Sequence, residues 1–367
     1  MKKIFIKRYG FLFTCFISYA IATSAQTSDL RLVDWSPKSQ LVVKETKIIK
    51  PKYPVIDIHN HLRDLSKAEY YLKEMDKAGV WMCANLDGLS ENDLYKENLS
   101  VYHAISRERF LVFFSPDFSR IDETGFGEKE AERLAVRMGA RGLQIYKALG
   151  LTLKDKNGKL IRIDDPRIDP IWAKCGELGI PVMIHSSDPK AFHDGPVDKY
   201  NERYEELIAN PAWAYFNTNI PSKEDLLDQR NRVIERHPNT IFIAAHMANL
   251  AEDLGRVALW LEKYPNLYID IDARISELGR QPYTARKFMI KYQDRILFAT
   301  DTQPNAEAYR VHYRFLETDD EFFDPAPAHK FQARWMIYGV YLPDEVLEKI
   351  YNKNAIKILN RYKEEIK

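Results

Sequence analysis

Eight short apolar segments recur along the chain, and each is rich in β-branched or aromatic residues. Their sequences are VIDIHNHL at Val55, VWMCANLDG at Val80, FLVFFSPDF at Phe110, GLQIYKALG at Gly142, IPVMIHSSDP at Ile180, IFIAAHMAN at Ile241, LYIDIDARI at Leu267 and ILFATDTQP at Ile296. Segments with helical periodicity separate them, for example residues 66–78, 128–138, 226–237 and 252–264. Eight strands alternating with helices predict an α/β fold, the (β/α)8 or TIM barrel. A doubly wound sheet is the alternative, because alternation alone does not close a barrel.

Most of these predicted strands are apolar until their last few residues, where ionisable side chains follow. The side chains are His59, His61, Asp87, Asp117, Lys147, His185, His246, Asp272, Arg274 and Asp301. Strands of a buried parallel sheet are ordinarily plain apolar runs. The carboxyl ends of barrel strands meet at one mouth, where the active sites of barrel enzymes lie. The pattern therefore predicts one polar site at that mouth.

The first predicted strand carries two histidines that are two positions apart. Side chains with this spacing share a face, so we expect His59 and His61 to project together, with Ile58 and Asn60 on the opposite face. Two neutral imidazoles on one face form half of a metal site, and two hydrogen-bonded core histidines are the alternative. Imidazoles together with a carboxylate suit zinc and neighbouring divalent metals.

The ordered set of H-x-H, two further histidines and an aspartate at successive strand ends resembles the amidohydrolase superfamily. The closest resemblance is to the amidohydrolase-related branch, which includes aminocarboxymuconate-semialdehyde decarboxylase and related decarboxylases and lactonases, and it extends from about Pro54 to Leu359. It implies the metal ligands His59, His61, His185 and Asp301. It also implies that His246 acts beside the metal as an acid or base, or as a ligand where two ions bind. The expected cofactor is a divalent cation, with zinc favoured and one ion favoured over two.

Other residues near the predicted mouth are candidates for substrate binding. A fourth-strand lysine is carboxylated and bridges two metals in other branches of the superfamily, so the resemblance leaves that role open for Lys147; a substrate-binding or salt-bridged lysine is the favoured alternative. Arg274 is expected to bind a substrate carboxylate or to form a salt bridge with Asp272 or another acid. The long segment after the fifth strand, residues 186–223, is expected to cover the mouth. Its candidates for substrate contact are His193, Trp213 and Phe216.

The first residues predict export. A basic start is followed by a short apolar run and small residues, which is typical of a signal peptide over residues 1–25. We expect a polar lead-in over 26–52, a single barrel domain over 53–363 and a periplasmic or secreted protein without a stable membrane anchor after cleavage. Cleavage removes four basic residues and no acids, which moves the formal charge from +1 to −3, so nothing favours nucleic-acid binding. The sequence is compatible with a homo-oligomer and does not specify one.

These features predict a secreted metal-dependent hydrolase that acts on a small molecule with a carboxylic ester, lactone or amide bond. A bound divalent ion lowers the pKa of its water toward roughly 7. The resemblance implies that Asp301 orients that water and accepts its proton, and His246 is then expected to stabilise the oxyanion or to protonate the leaving group. A nonoxidative decarboxylase with the same metal is the first alternative, and a catalytically silent ligand-binding barrel is the second.

Overall fold

The computed structural model describes residues 31, 34–35, 37–87, 92–135, 140–328, 332 and 335–359. The chain divides into two units, residues 1–43 and residues 44–367. In the described part of the first unit, Arg31 pairs with Asp34 at 2.6 Å and most side chains are exposed. The predicted signal peptide over 1–25 lies outside the described residues. No helix in the described part of the chain is both long and apolar enough to cross a bilayer.

The second unit is built on eight parallel strands whose order in the sheet is their order in the sequence. They are β1 (Val55–Asn60), β2 (Val80–Asn85), β3 (Phe110–Phe114), β4 (Ala140–Ile145), β5 (Val182–Ile184), β6 (Phe242–Ala244), β7 (Leu267–Asp270) and β8 (Ile296–Leu297). Each neighbouring pair from β1–β2 to β7–β8 is parallel. The predicted TIM barrel is therefore confirmed.

In the described part of the chain, eight longer helices follow the strands. They are α1 (Ala68–Ala78), α2 (Asn92–Ser106), α3 (Phe126–Ala135), α4 (Asp169–Leu178), α5 (Lys223–Arg236), α6 (Leu254–Lys263), α7 (Pro282–Lys291) and α8 (Ala306–Glu317). Local sequence explains several of their ends. Ser222 caps α5 by accepting a hydrogen bond from the Asp225 N–H, and Asn305 caps α8 in the same way. Gly79 ends α1 with φ +80°, a left-handed conformation that glycine adopts without steric cost.

Shorter helices lie in the connections. They are Leu65–Lys67, Phe118–Arg120, Ala148–Leu151, Pro166–Ile168, Lys190–His193, Tyr204–Ala209, Pro211–Trp213, Ala245–Asn249, Ile275–Arg280, Asp344–Glu348, Lys349–Lys353 and Asn354–Leu359. Three of them belong to the long segment between β5 and α5. Within that segment, the Tyr215 N–H donates to the Phe192 carbonyl at 2.7 Å, which joins its later part to its first helix.

The interior of the barrel is apolar. Helices near the C-terminus close its lower end, which is the end opposite the mouth. Ile56, Met183, Ile243 and Leu297 belong to one buried cluster with Ile358. The side-chain amides of two asparagines tie these helices to the strands: Asn352 donates to the Pro54 carbonyl at 2.7 Å, and Asn354 donates to the Ile296 carbonyl at 2.8 Å. The lower end is thus filled, and the polar groups at the opposite strand ends face the mouth.

The barrel closes between β8 and β1 through a small number of bonds. The Ile58 N–H donates to the Phe298 carbonyl at 3.1 Å, and the Asp301 N–H donates to the His59 carbonyl at 2.9 Å. Beside them, the Thr300 hydroxyl donates to the buried Asp57 carboxylate at 2.7 Å. The closure therefore brings the first and last predicted metal ligands together.

We predict that Thr300→Val lowers the free energy of unfolding by about 1–3 kcal/mol, because it removes a donor from a carboxylate that water does not reach. The measurement is urea unfolding followed by circular dichroism. The matched control is Thr152→Val, which alters an exposed threonine and is expected to change the free energy by no more than about 0.5 kcal/mol. Equal stability of the two variants would show that this bond does not support the closure.

Candidate functional site

A bulge in β1 sets the direction of its histidines. Asp57 pairs with Cys83 and Asn60 pairs with Asn85, so β1 holds one more residue than β2 over this stretch. Ile58 consequently packs inside the barrel, although it comes directly before a histidine that faces the mouth. Strict alternation, which placed Ile58 on the face opposite the histidines, is therefore wrong at this position.

His59, His61 and Asp301 converge at the mouth. The Asp301 Oδ1 atom lies 3.5 Å from His59 Nε2 and 3.3 Å from His61 Nε2. One ligand atom from each of the three residues lies within 4.8 Å of the others. Burial raises the pKa of Asp301, but the hydrogen bond with His61 and the charge of His59 outweigh it, so the net pKa lies below its ordinary value. Asp301 is thus held as a carboxylate.

The surroundings of the two strand-one histidines fit a divalent cation. The Nε2 atom of His59 is buried and has no hydrogen-bond partner among the described residues. The Nδ1 atom of His59 lies 2.8 Å from the Asp272 carboxylate, and the Nδ1 atom of His61 lies 2.9 Å from the Asp87 carboxylate. Metal-binding histidines ordinarily donate their second nitrogen to such a partner. Each Nε2 atom is therefore free to bind a cation on the side of Asp301.

His246 lies beside this group at the start of a left-handed turn. His246, Met247, Ala248 and Asn249 all have φ between 55° and 57°, a conformation that costs about 1–2 kcal/mol per non-glycine residue. Side chains of α5 hold the turn, because the Lys223 ammonium binds the Asn249 carbonyl at 2.5 Å and an arginine of the same helix binds the Ala248 carbonyl at 2.6 Å. The turn buries the His246 ring 5.3 Å from the His59 ring, centroid to centroid.

Two buried carboxyl groups, one at the end of the seventh strand and one two residues after it, contact these imidazoles. Both Asp270 and Asp272 accept a hydrogen bond from the His246 N–H, at 2.7 and 2.8 Å. Burial raises the pKa of Asp270, and the neighbouring Asp272 charge raises it further. Burial also acts to raise the pKa of Asp272, but His246 and His59 more than offset it, so the net pKa of Asp272 lies well below its ordinary value. Asp272 is therefore the ionised member of the pair.

His185 contacts His246 rather than the group around Asp301. Its Nδ1 atom lies 3.3 Å from His246 Nε2, and its Nε2 atom lies 3.0 Å from the Ser187 carbonyl. In the described part of the chain, neither of the two metal-compatible groups includes His185. Burial, followed by the charge of the adjacent His246, lowers the pKa of His185 to about 3, so the ring is neutral. Its metal ligation stays a prediction.

Lys147 is bound by a carboxylate at the mouth. Its ammonium lies 2.9 and 2.8 Å from the two carboxylate oxygens of Asp188, which also accepts a hydrogen bond from the Tyr215 hydroxyl at 2.6 Å. The same ammonium lies 4.7 Å from the centre of the Trp213 ring. This arrangement is that of a salt-bridged lysine, which was the favoured alternative to a carboxylated one.

The remaining substrate-binding candidates occupy different places. Trp213 lines a cavity at the barrel mouth, described below, and stacks on Phe192 with ring centres 6.0 Å apart. Phe216 is 40% exposed and does not line that cavity, so nothing in its position favours substrate contact. His193 Nε2 lies 3.1 Å from the Ser187 hydroxyl, and His193 also lies outside the cavity lining.

Arg274 is buried against the cavity, and Asp272 is not its partner. Its guanidinium donates to the Ala273 carbonyl at 2.7 Å, while the Asp272 carboxylate faces the two histidines. No carboxylate of the described residues lies within 4 Å of the Arg274 guanidinium. Of the expected alternatives, the salt bridge with Asp272 is not formed, while the charge of Arg274 acts on the acids Glu206 and Glu252; binding of a substrate carboxylate stays a prediction.

The mouth of the barrel holds a cavity of about 450 Å³. Its lining comprises His61, Arg63, Tyr146, Lys147, His185, Asp188, Pro189, Phe192, Glu206, Trp213, His246, Ala273, Arg274, Asp301, Thr302, Gln303 and Gln332. A cavity of this size suits a small organic molecule. Aromatic rings and charged groups share its wall, so it offers both apolar contact and ionic recognition.

The sequence patterns missed three acids of this region. Asp270 lies two residues before Asp272 in an otherwise apolar segment, and this spacing could have indicated that both side chains lie on the same face. Asp188 follows His185 by three residues. Glu206 lines the cavity and binds the buried Arg203 at 2.9 Å, and Arg203 also binds Glu277. Only the folded chain brings these residues of the β5 segment against the loop after β7.

The fold is similar to that of solved decarboxylases. A 2,6-dihydroxybenzoate decarboxylase in complex with 2,6-dihydroxybenzoate is 16% identical, with a TM-score of 0.51 over 84% of this chain and 99% of that one. A 2,6-dihydroxybenzoate decarboxylase from Rhizobium is 15% identical, with a TM-score of 0.50 over 84% and 99%. A dihydroxybenzoic acid decarboxylase from Polaromonas sp. JS666, with bound manganese and the inhibitor 2-nitroresorcinol, is 15% identical, with a TM-score of 0.52 over 85% and 98%.

Sequence comparison agrees with the fold. A search of curated protein sequences gave no significant match. The family model described as Amidohydrolase matches residues 106–361, which is more than half of the chain. The match covers the strands that carry His185, His246 and Asp301. The chain therefore belongs to the amidohydrolase family of metal-dependent TIM barrels.

Proposed function

We propose that this protein is an exported metal-dependent hydrolase of a small organic acid that carries a carboxylic ester, lactone or amide bond. The observation that carries the proposal is the position of Asp301, a cavity-lining carboxylate between the Nε2 atoms of His59 and His61. Hydrolysis requires a proton acceptor for water and a proton donor for the leaving group in one cavity. Asp301 and His246 supply these two roles.

We assign the metal to His59, His61 and Asp301, with His185 as the fourth predicted ligand. Nitrogen and carboxylate ligands of this kind suit zinc. When bound, such a cation lowers the pKa of water and polarises a carbonyl group. The manganese in the Polaromonas decarboxylase makes manganese the second metal to test.

In the proposed reaction, Asp301 accepts one proton and His246 donates another. A carboxylate oxygen of Asp301 accepts the proton of the attacking water, because its imidazole neighbours keep it ionised in the resting protein. His246 keeps one proton at Nδ1, beside the Asp272 carboxylate, and carries the catalytic proton as a second proton at Nε2, from which it passes to the leaving group. Trp213 and Phe192 shield the reacting groups from bulk water on the side of the long β5 segment.

The charges in the cavity wall indicate an anionic substrate. Each acid of the described lining already has a basic partner: Asp188 with Lys147, Glu206 with Arg203, and Asp301 with His61. Arg274 is 5% exposed, and no described carboxylate lies within 4 Å of its guanidinium, although its charge acts on Glu206 and Glu252 from farther away. A buried guanidinium without a counterion is costly, and a substrate carboxylate would remove that cost. We therefore assign Arg274 to an acid group of the substrate.

Decarboxylation is the second candidate, and the fold similarity to the dihydroxybenzoate decarboxylases favours it. The same two groups could then act on a substrate carboxylate and on the carbon that loses carbon dioxide. A screen separates the candidates: zinc- or manganese-loaded protein is incubated with lactones, esters and amides of organic acids, and with aromatic acids. Acid release without carbon dioxide supports hydrolysis, whereas carbon dioxide release supports the lyase. A metal content below about one ion in ten chains would instead favour a silent ligand-binding barrel.

Replacement of either strand-one histidine is expected to remove the metal. His61→Ala is expected to lose bound zinc with little change in unfolding temperature, because His61 lies at the partly exposed rim. His59→Ala is expected to lose zinc and also about 3–5 kcal/mol of stability, because it leaves the buried Asp272 charge with one partner fewer. Elemental analysis and thermal unfolding measure both effects. Full zinc retention in both variants would remove these residues as ligands.

The second prediction concerns Asp301. Asp301→Asn is expected to keep the fold and part of the metal, since an amide oxygen can still coordinate, but to reduce kcat by about 10²–10⁴-fold because an amide does not accept the proton. Turnover of a substrate found in the screen, compared at equal metal content, is the measurement. Turnover close to that of the wild type would mean that another group accepts the proton.

The third prediction concerns Arg274. Arg274→Gln is expected to raise KM for an acidic substrate by about 10–100-fold, the loss of one hydrogen-bonded charge pair, with a smaller change in kcat. The control is Arg63→Gln, which alters a cavity-lining arginine that is 67% exposed and is expected to change KM less than threefold. If the neutral amide of the same substrate is as sensitive to Arg274→Gln as the acid, Arg274 does not recognise the charge.

A further inference from the structure

One buried carboxylate contacts two imidazoles that come from different strands. Asp272 lies after β7 and is fully buried. Its Oδ2 atom lies 2.8 Å from His59 Nδ1 and 3.1 Å from His246 Nδ1. Its Oδ1 atom accepts a hydrogen bond from the His246 N–H at 2.8 Å. Asp272 is therefore in contact with a predicted metal ligand and with the predicted proton donor at the same time.

The position of this carboxylate determines which ring nitrogen carries a proton. A neutral imidazole has one N–H, and a carboxylate beside Nδ1 keeps the proton there and leaves the Nε2 lone pair free. In His59 that lone pair faces Asp301 and has no partner among the described residues. In His246 the Nε2 atom faces His185 and the cavity.

Backbone strain adds a second reason to regard this contact as functional. Ala273, directly after Asp272, has φ +49°, and His246 begins the left-handed turn with φ +57°. Strained residues persist where surrounding contacts hold them, and they concentrate at functional sites. Asp272 accepts the N–H of the first residue of the turn, so it fixes the backbone as well as the ring of His246.

We infer that Asp272 is a positioning residue that sets the orientation and the protonated nitrogen of both His59 and His246. The inference rests on the metal site of the proposed function and is independent of the bond that is cleaved. Asp87 performs the corresponding role for His61 alone, through a single contact at the rim. Loss of Asp272 therefore affects two members of the site, whereas loss of Asp87 affects one.

Metal affinity of the full-length protein tests this inference without a substrate. Zinc and, separately, manganese are titrated into metal-free wild type and Asp272→Asn by calorimetry. We expect the substitution to weaken binding by 10–100-fold, the usual effect of losing the partner of a metal-bound histidine. The control is Asp320→Asn, which alters an equally buried carboxylate that binds Thr46 and Arg314. It is expected to leave the affinity unchanged.

A double-mutant cycle tests whether Asp272 affects zinc binding through His59. If Asp272 acts through His59, Asp272→Asn weakens zinc binding in the wild type and has less than a threefold effect in a His59→Gln background. The same loss in both backgrounds would overturn a positioning role through His59. Wild-type affinity in Asp272→Asn would overturn the inference while leaving the metal site intact. Absence of zinc and manganese binding by the wild type would overturn the metal site itself.

If Asp272→Asn does not fold, nitrogen NMR of the wild type tests the inference directly, because it reports which ring nitrogen is protonated and which binds zinc. In zinc-loaded protein labelled with [15N]histidine, we expect His59 and His61 to show a protonated Nδ1 and a metal-bound Nε2. His61→Gln assigns the second signal by its loss. Zinc bound to Nδ1 of His59 would overturn the inference, because the carboxylate could not then hold a proton on that nitrogen.

Discussion

The contact between the first and eighth strands is the constraint on which the site depends. Among the described residues, two backbone hydrogen bonds, from Ile58 to Phe298 and from Asp301 to His59, complete the barrel there. The second bond is made by two predicted metal ligands, so the closure of the fold and the assembly of the site are one event. The β1 bulge adds the residue that directs His59 to the mouth. A barrel that failed to close at this seam would separate the ligands even with every other strand paired.

The left-handed turn at the mouth is held by hydrogen bonds from side chains that lie outside the cavity. The left-handed turn from His246 to Asn249 is unfavourable for four consecutive non-glycine residues. Buried cations of α5, Lys223 and Arg230, bind the carbonyl groups that this turn exposes, while Asp272 binds its first N–H. The helix behind the sixth strand thus supports a ring that faces the cavity. Precision at a site generally requires such support from the residues behind it.

The sequence predicted most of the fold and the principal residues of the mouth, because both depend on periodicity. Apolar runs that end in polar residues located all eight strands, and Asp301 follows the last of them. Period-two reasoning failed at Ile58, since a bulge leaves no mark in composition. The same reasoning did not identify Asp270 as a site residue, because its contacts are with histidines more than 20 residues away along the chain. Position within a long loop did not separate Trp213 from Phe216, because only tertiary packing decides which ring faces the cavity.

The place of the substrate carboxylate distinguishes the two candidate reactions. In a decarboxylation, the departing carboxylate must lie at the reacting centre around Asp301. In a hydrolysis, a carboxylate bound by Arg274 remains unchanged while another bond is placed beside Asp301 and His246. Arg274 is buried and no described carboxylate lies within 4 Å of its guanidinium, so a substrate carboxylate bound there would be retained in a hydrolysis. Decarboxylation of such a substrate would instead act on a second carboxylate placed beside Asp301.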